Sequence, residues 1–97
     1  MPVTHVTPAG GNVFADLGFS KDEAEALKIC SSLMMKVQDV IEERELSTAD
    51  AAKLFGVTQA RIKALLRGKI GEFTIDALVR MLTHAGMRVE VSVKAVA

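Results

Sequence analysis

The segment LSTADAAKLFGVTQARIKALLRG, residues 46–68, constrains the fold of this 97-residue chain more than any other feature. The segment has two halves, each with apolar residues at helical spacing. A hydroxyl side chain that can cap a helix N-terminus precedes each half: Ser47 or Thr48 the first and Thr58 the second. Gly56 separates the halves and supplies the backbone freedom that a sharp bend requires. The segment therefore predicts two short helices that meet at a tight turn.

The two predicted helices end at Phe55 and Arg67, and Gly68 follows the second helix where a left-handed residue suits a C-terminus. Ala52 is small enough to let the second helix approach the first closely. Apolar residues are predicted to fill the space beneath the turn and the second helix: Leu54, Val57, Ile62, Leu65 and Leu66. A helix-turn-helix needs these parts, because its second helix enters the major groove of DNA while the first braces it.

The outward face of the second predicted helix suits base recognition. Its residues are Gln59, Ala60, Arg61, Lys63, Ala64 and Arg67. Gln59 stands at the N-terminal end, which penetrates the groove, and a glutamine can pair bidentately with adenine. Lys63 lies one turn later and can reach guanine acceptors or a phosphate. The two alanines keep the face low, and their methyl groups can touch thymine.

Charge is distributed unevenly along a chain whose formal net charge is zero. Residues 20–43 carry three basic and six acidic side chains, whereas residues 44–69 carry six basic and two acidic ones. The local net charges are thus −3 and +4, and the basic region coincides with the two short helices. Side chains at the helix ends and on this basic region are predicted to contact the DNA backbone: Thr48, Thr58, Arg61, Arg67 and Lys69.

The remaining pattern predicts a mainly α small bundle with one C-terminal strand. A first helix is expected over residues 21–44, with Ser20 as its N-cap, and a fourth from Thr74 to Gly86. After Gly86 the period changes, because apolar and polar residues alternate from Met87 to Lys94. We predict an N-terminal arm (1–19), a DNA-binding domain (20–86) and a dimerisation strand (87–97).

A single strand leaves its backbone groups unpaired, so this one needs a partner. Antiparallel pairing with the same strand of a second subunit is the favoured prediction, because two-fold dimers are the commonest oligomers. Its interface side would carry Met87, Val89, Val91 and Val93. The alternative is an internal pair with Val3–Thr7.

The sequence gives little support for an enzyme, a metalloprotein, or a secreted or membrane protein. His5 and His84 are far apart and Cys30 is the only cysteine, so we expect no zinc site, no cofactor and no catalytic centre. Cys30 lies in the apolar part of a predicted helix and is interpreted as a buried structural thiol. With no secretory signal and no membrane-spanning apolar run, we expect a cytoplasmic protein with no membrane partner.

The segment LSTADAAKLFGVTQARIKALLRGKIGEF resembles the XRE-type helix-turn-helix of phage repressors. The longer span from NVFADLGF to LVRMLTHAGMRVEV, about residues 12–94, resembles the HigA-like antitoxins of that family. The resemblance implies a dimeric repressor that binds its own operator and neutralises a HigB-like toxin of the RelE superfamily. By match to the family's contact positions, bases would face Gln59, Ala60, Lys63 and Ala64, and the DNA backbone would face Thr48, Thr58, Arg67 and Lys69.

Two other interpretations stay open. A stand-alone XRE-type regulator would carry the same residues 44–86, and only the arm and the NVFADLGF patch separate it from an antitoxin, since exposed apolar residues need a docking site. A protein-interaction module could also use this scaffold without binding DNA.

Overall fold

The computed structural model describes residues 3–5 and 17–95. Within these residues the protein is a small helical domain with a two-stranded sheet at one end. Its elements are β1 (Val3–His5), α1 (Lys21–Glu43), α2 (Thr48–Phe55), α3 (Gln59–Leu66), a 3₁₀ turn (Ile70–Glu72), α4 (Ile75–His84) and β2 (Arg88–Glu90). The prediction of a mainly α bundle with a central helix-turn-helix and a C-terminal strand is confirmed.

Local side-chain caps fix where the helices begin. The Ser20 hydroxyl accepts a hydrogen bond from the Glu23 amide at 3.2 Å, and the Thr74 hydroxyl accepts one from the Ala77 amide at 3.2 Å. Ser47 caps α2 by accepting from the amide three residues later at 3.1 Å, so Thr48 is the first helical residue and not the cap. Each cap satisfies an N–H that has no partner inside its own helix.

The core lies where α1 crosses α4 and where the α2–α3 pair packs against both. Its fully buried side chains come from every helix, and the largest are Leu33, Val37, Val40, Phe55, Ile62, Leu65, Leu78 and Leu82. Among the described residues no charged or polar side chain is buried, so the core is packed mainly by apolar contacts. These contacts fix the position of α2 and α3 against the long helix α1 and the shorter helix α4.

Cys30 is part of this core, as interpreted from its apolar surroundings. It is 4% exposed, and its thiol donates a hydrogen bond to the Phe73 carbonyl at 3.5 Å. Burial raises the pKa of the Cys30 thiol, which favours the neutral form. The residue is a packing group that joins α1 to the segment before α4.

The C-terminal strand is shorter than predicted and finds its partner within the chain. β2 pairs in parallel with β1, with Thr4 opposite Val89. This is the internal pair that the sequence offered as the alternative. Antiparallel pairing with a second copy stays a prediction. Three residues of the N-terminal arm form β1. A parallel pair needs a long connection between its strands, and here the helical domain is that connection. The parts of the arm outside the described residues include Val6, Thr7 and the first five residues of NVFADLGF.

The four residues predicted for a dimer interface divide into two groups. Met87 is buried in the core of its own chain, and Val89 is half-buried against that core. Val91 and Val93, which follow the strand, are 69% and 92% exposed. Of these four residues, therefore, only Val91 and Val93 expose most of their apolar side chains.

Candidate DNA-binding surface

The turn between α2 and α3 is built as a helix C-terminus followed directly by a new N-cap. Gly56 ends α2 with φ +68°, a left-handed conformation that favours glycine. The Val57 amide donates to the Ala52 carbonyl at 3.0 Å, and the Thr58 hydroxyl accepts from the Arg61 amide at 3.2 Å. Only two residues, Val57 and Thr58, therefore separate Gly56 from α3.

The helices α2 and α3 pack against each other through buried side chains. Ala51 and Ala52 are buried, as expected for the small residue predicted at position 52. Phe55, Ile62 and Leu65 are each at most 1% exposed and fill the space behind the turn. These contacts hold α3 at a fixed position on the surface of the domain.

Leu66 is not part of the core, so its predicted placement beneath the motif is wrong. Its side chain is 44% exposed, whereas Leu65 is fully buried. Successive residues of a helix point about 100° apart, so both leucines cannot face the same core. Leu66 instead lies seven residues after Gln59 and three after Lys63, which places it on their side of the helix. That spacing is the signal by which the sequence could have revealed it.

The predicted reading face of α3 is largely accessible. Gln59, Ala60 and Lys63 are exposed, and Gln59 and Lys63 are one turn apart on the same side. Ala64 is half-buried and packs against the core, so less of it reaches the surface. The structure therefore brings together a short polar stripe flanked by the methyl group of Ala60.

Arg61 is held by contacts inside the protein. Its guanidinium donates to the Glu72 carbonyl at 2.9 Å and lies 4.4 Å from the centre of the Phe73 ring. Hydrogen bonding and a cation–π contact together restrict a side chain that is otherwise long and mobile. The contacts link α3 to the 3₁₀ turn that follows it.

The other predicted backbone contacts lie near the ends of the two short helices. Thr58 is exposed at the start of α3, and Thr48 is half-buried at the start of α2. Arg67, the C-cap of α3, and Lys69 are exposed on either side of Gly68, whose φ is +72°. Arg44 and Lys53, which belong to the same basic segment of the sequence, are exposed as well.

Two residues that support the motif escaped the sequence analysis. The Gln38 side-chain amide donates to the Leu65 carbonyl at 3.0 Å, which ties the C-terminal end of α3 to α1. His84 Nδ1 lies 2.9 Å from the Leu54 carbonyl oxygen, at the C-terminal end of α2. The sequence signal for Gln38 is its place between the buried Val37 and Val40. No local pattern points to the partner of His84.

The described residues hold no group of three or more His, Cys, Asp or Glu side chains that is placed to bind a metal ion. In the same part of the chain, no helix combines the length and the apolarity that crossing a membrane requires.

A family model described as "Helix-turn-helix domain" matches residues 13–94. No curated protein and no solved structure matches the chain. The match covers the four helices and β2, including the turn at Gly56 and the exposed face of α3. With the geometry of α2 and α3 it shows that this chain belongs to the helix-turn-helix domain family, whose characteristic partner is DNA.

Proposed function

We propose that the protein is a sequence-specific regulator of transcription that represses its target by binding double-stranded DNA through α3. The observation that carries this proposal is the exposed stripe of Gln59 and Lys63 on a helix that is fixed on its other side by Ile62 and Leu65. A rigid helix with a low outward face is the shape that the major groove admits.

Within this proposal the residues of the surface divide into two roles. Gln59, Ala60, Lys63 and Ala64 face base edges, and the exposed Leu66 extends the apolar part of that face toward thymine methyl groups. The phosphates are contacted by Thr48, Thr58, Arg61, Arg67 and Lys69. Arg61 contributes from a fixed position, because its two internal contacts orient the guanidinium before DNA arrives.

The regulator acts as a homodimer in this proposal. One eight-residue helix such as α3 reads only a short half-site, so two copies on a palindrome are needed for useful specificity. Val91 and Val93 are the apolar surface that a second copy would cover, next to the edge of β2 that β1 leaves open.

Selection of bound sequences from random double-stranded DNA is the experiment that tests the proposal. We expect a single enriched motif with two-fold symmetry, which would support DNA reading and dimerisation together. Enrichment of one asymmetric half-site would support reading by α3 and contradict the dimer. No enrichment over the starting pool would contradict sequence-specific binding.

Single substitutions then separate the two contact classes. Gln59→Ala should reduce discrimination between the selected site and random DNA by on the order of 1–3 kcal/mol. Arg67→Ala should weaken binding to both and lower the slope of log K against log salt by about one. Lys21→Ala, which removes the same charge from the acidic helix α1, is the matched control and should change neither quantity. If both test variants bind like the parent, the assignment of α3 is wrong.

A second candidate function is that of the antitoxin implied by the resemblance to HigA-like proteins, with a RelE-type toxin as partner. It is supported by an open groove of about 740 Å³ between the N-terminal half of α1 and α4. The groove is lined mainly by apolar side chains, among them Leu27, Ile75 and Val79. Leu17 and Phe19, just before α1, are also exposed, at 69% and 43%.

The charge beside the groove is weakly negative, which favours a protein partner over DNA. Residues 20–31 carry three acidic and two basic side chains, and the rim adds Asp76 and Arg80, which form an ion pair at 3.8 Å. At the rim, a hydrogen bond from the Thr74 side chain and the charge of Arg80 lower the pKa of the Asp76 carboxyl, so it stays ionised. A stand-alone regulator has no such partner, and this is where the two functions differ.

Co-expression with the protein encoded by the adjacent gene decides between them. An antitoxin should co-purify with that protein and restore growth that the partner alone prevents. Ala26→Lys places a positive charge in the groove at an exposed position and should weaken the complex, whereas Ala95→Lys, the matched control, should not. A stable complex insensitive to Ala26→Lys would place the partner elsewhere, and no complex would favour the stand-alone regulator.

A further inference from the structure

His84 closes over the turn of the helix-turn-helix from outside the motif. It is the last residue of α4 and lies 30 residues from Leu54 in the chain, yet its Nδ1 is 2.9 Å from the Leu54 carbonyl oxygen. A carbonyl oxygen only accepts hydrogen bonds, so Nδ1 carries the proton and donates it. The bond satisfies one of the carbonyls that the last turn of a helix leaves without a partner.

The imidazole ring also lies directly on Gly56. A Cβ atom added to this glycine would be 2.8 Å from Cδ2 and 2.9 Å from Cγ of the ring, closer than real Cβ atoms approach. A larger residue at position 56 is therefore disfavoured for two independent reasons, the left-handed φ of the turn and the ring above it. By contrast, Gly68 ends α3 in a similar conformation with nothing within 4 Å of the same position.

The position of His84 is set by the core and not by the turn itself. α4 packs against α1 and α2, and its Leu78, Met81 and Leu82 side chains are at most 2% exposed. A ring attached to this helix therefore holds the end of α2 at a constant distance from the rest of the domain. The angle at Gly56 sets how α3 projects from the surface.

We infer that His84 is a positioning residue for DNA recognition: its Nδ1–H and its ring fix the α2–α3 turn, and so preorganise α3 for the major groove. The inference rests on the proposed function, because it concerns how well α3 fits an operator. His84 itself needs no contact with DNA.

Three variants at this position separate the two contacts. His84→Asn retains an N–H donor at the place of Nδ1 but loses the ring, and His84→Phe retains a ring but loses the donor. His84→Ala loses both. We expect His84→Ala to weaken binding to the selected operator about three- to tenfold. The variant has to adopt the bound geometry of the turn without a hydrogen bond of ordinary strength that favours it. The Asn and Phe variants should each recover part of that loss.

The readout that separates positioning from general stability is the ratio of specific to non-specific affinity, measured well below the unfolding temperature. Non-specific binding depends on charge and should not change. Thr83→Ala, at the neighbouring exposed position of α4, is the control and should leave the ratio intact. A folded His84→Ala protein with the parent's ratio would overturn the inference. If the parent itself selects no operator, the proposed function fails first.

A double-mutant cycle tests the contact without DNA. Gly56→Ala should destabilise the parent through both the φ of the turn and the collision with the ring, but should destabilise His84→Ala through φ alone. The loss of unfolding free energy caused by Gly56→Ala should therefore be smaller when His84 is absent. Additive losses would mean that the ring does not constrain the turn, and would overturn the inference.

Discussion

The turn at Gly56 and the segment after β2 both lie at the edge of the domain, but they are held in different ways. At the turn, the Val57 amide is bonded to Ala52 and the imidazole of His84 covers the glycine. After β2, Val91 and Val93 point mostly into solvent. A helix that reads DNA has to be oriented before binding, whereas exposed valines contribute energy only when another surface covers them. The first region therefore depends on internal contacts, whereas the role proposed for the second depends on a partner.

The largest expected effect of this difference is on stability. Phe55→Ala should lower the free energy of unfolding by about 3–5 kcal/mol, because the removed ring is 1% exposed and leaves a cavity. Val93→Ala should change it by less than about 0.5 kcal/mol, since the side chain is already hydrated. Urea unfolding followed by circular dichroism measures both. Equal losses in the two variants would show that the segment after β2 is packed more firmly than its exposure indicates.

Residues 46–68 could be predicted well because their signals are local. A cap such as Thr58 acts on an amide three residues away, and the left-handed glycines Gly56 and Gly68 act on their own φ angles. Neighbouring residues are enough to reveal both. His84 could not be predicted in the same way, because its bond to Leu54 depends on how α4 packs against α2.

The C-terminal strand is a second case in which a local pattern does not identify a distant partner. Its alternation was visible in the sequence, but its partner β1 lies at the opposite end of the chain. An alternation of apolar and polar residues indicates that one face of the strand is buried. It does not indicate which other strand pairs with it. Leu66 was misplaced for a different reason, since both adjacent leucines were assigned to the core although the spacing of Leu66 from Gln59 and Lys63 puts it on their side of the helix.

An intermediate effect is expected from the cap of α3. Thr58→Ala should cost about 1 kcal/mol of unfolding free energy, because the Arg61 amide loses its side-chain acceptor at the start of the helix. Thr83→Ala removes the same hydroxyl from an exposed site in the last turn of α4 and should be close to neutral. A Thr58→Ala protein as stable as the control would mean that the turn region does not depend on its internal contacts as described.

The smallest effect on stability, and the largest on assembly, is expected after β2. The double substitution of Val91 and Val93 by Ser should change the unfolding free energy of the monomer by less than about 0.5 kcal/mol, because both side chains are exposed. It should lower the molar mass measured by light scattering from that of a dimer toward that of a monomer, since the apolar surface proposed for contact is lost. A dimer of unchanged strength would show that two copies associate elsewhere. The exposed valines would then need another explanation, such as contact with a different protein.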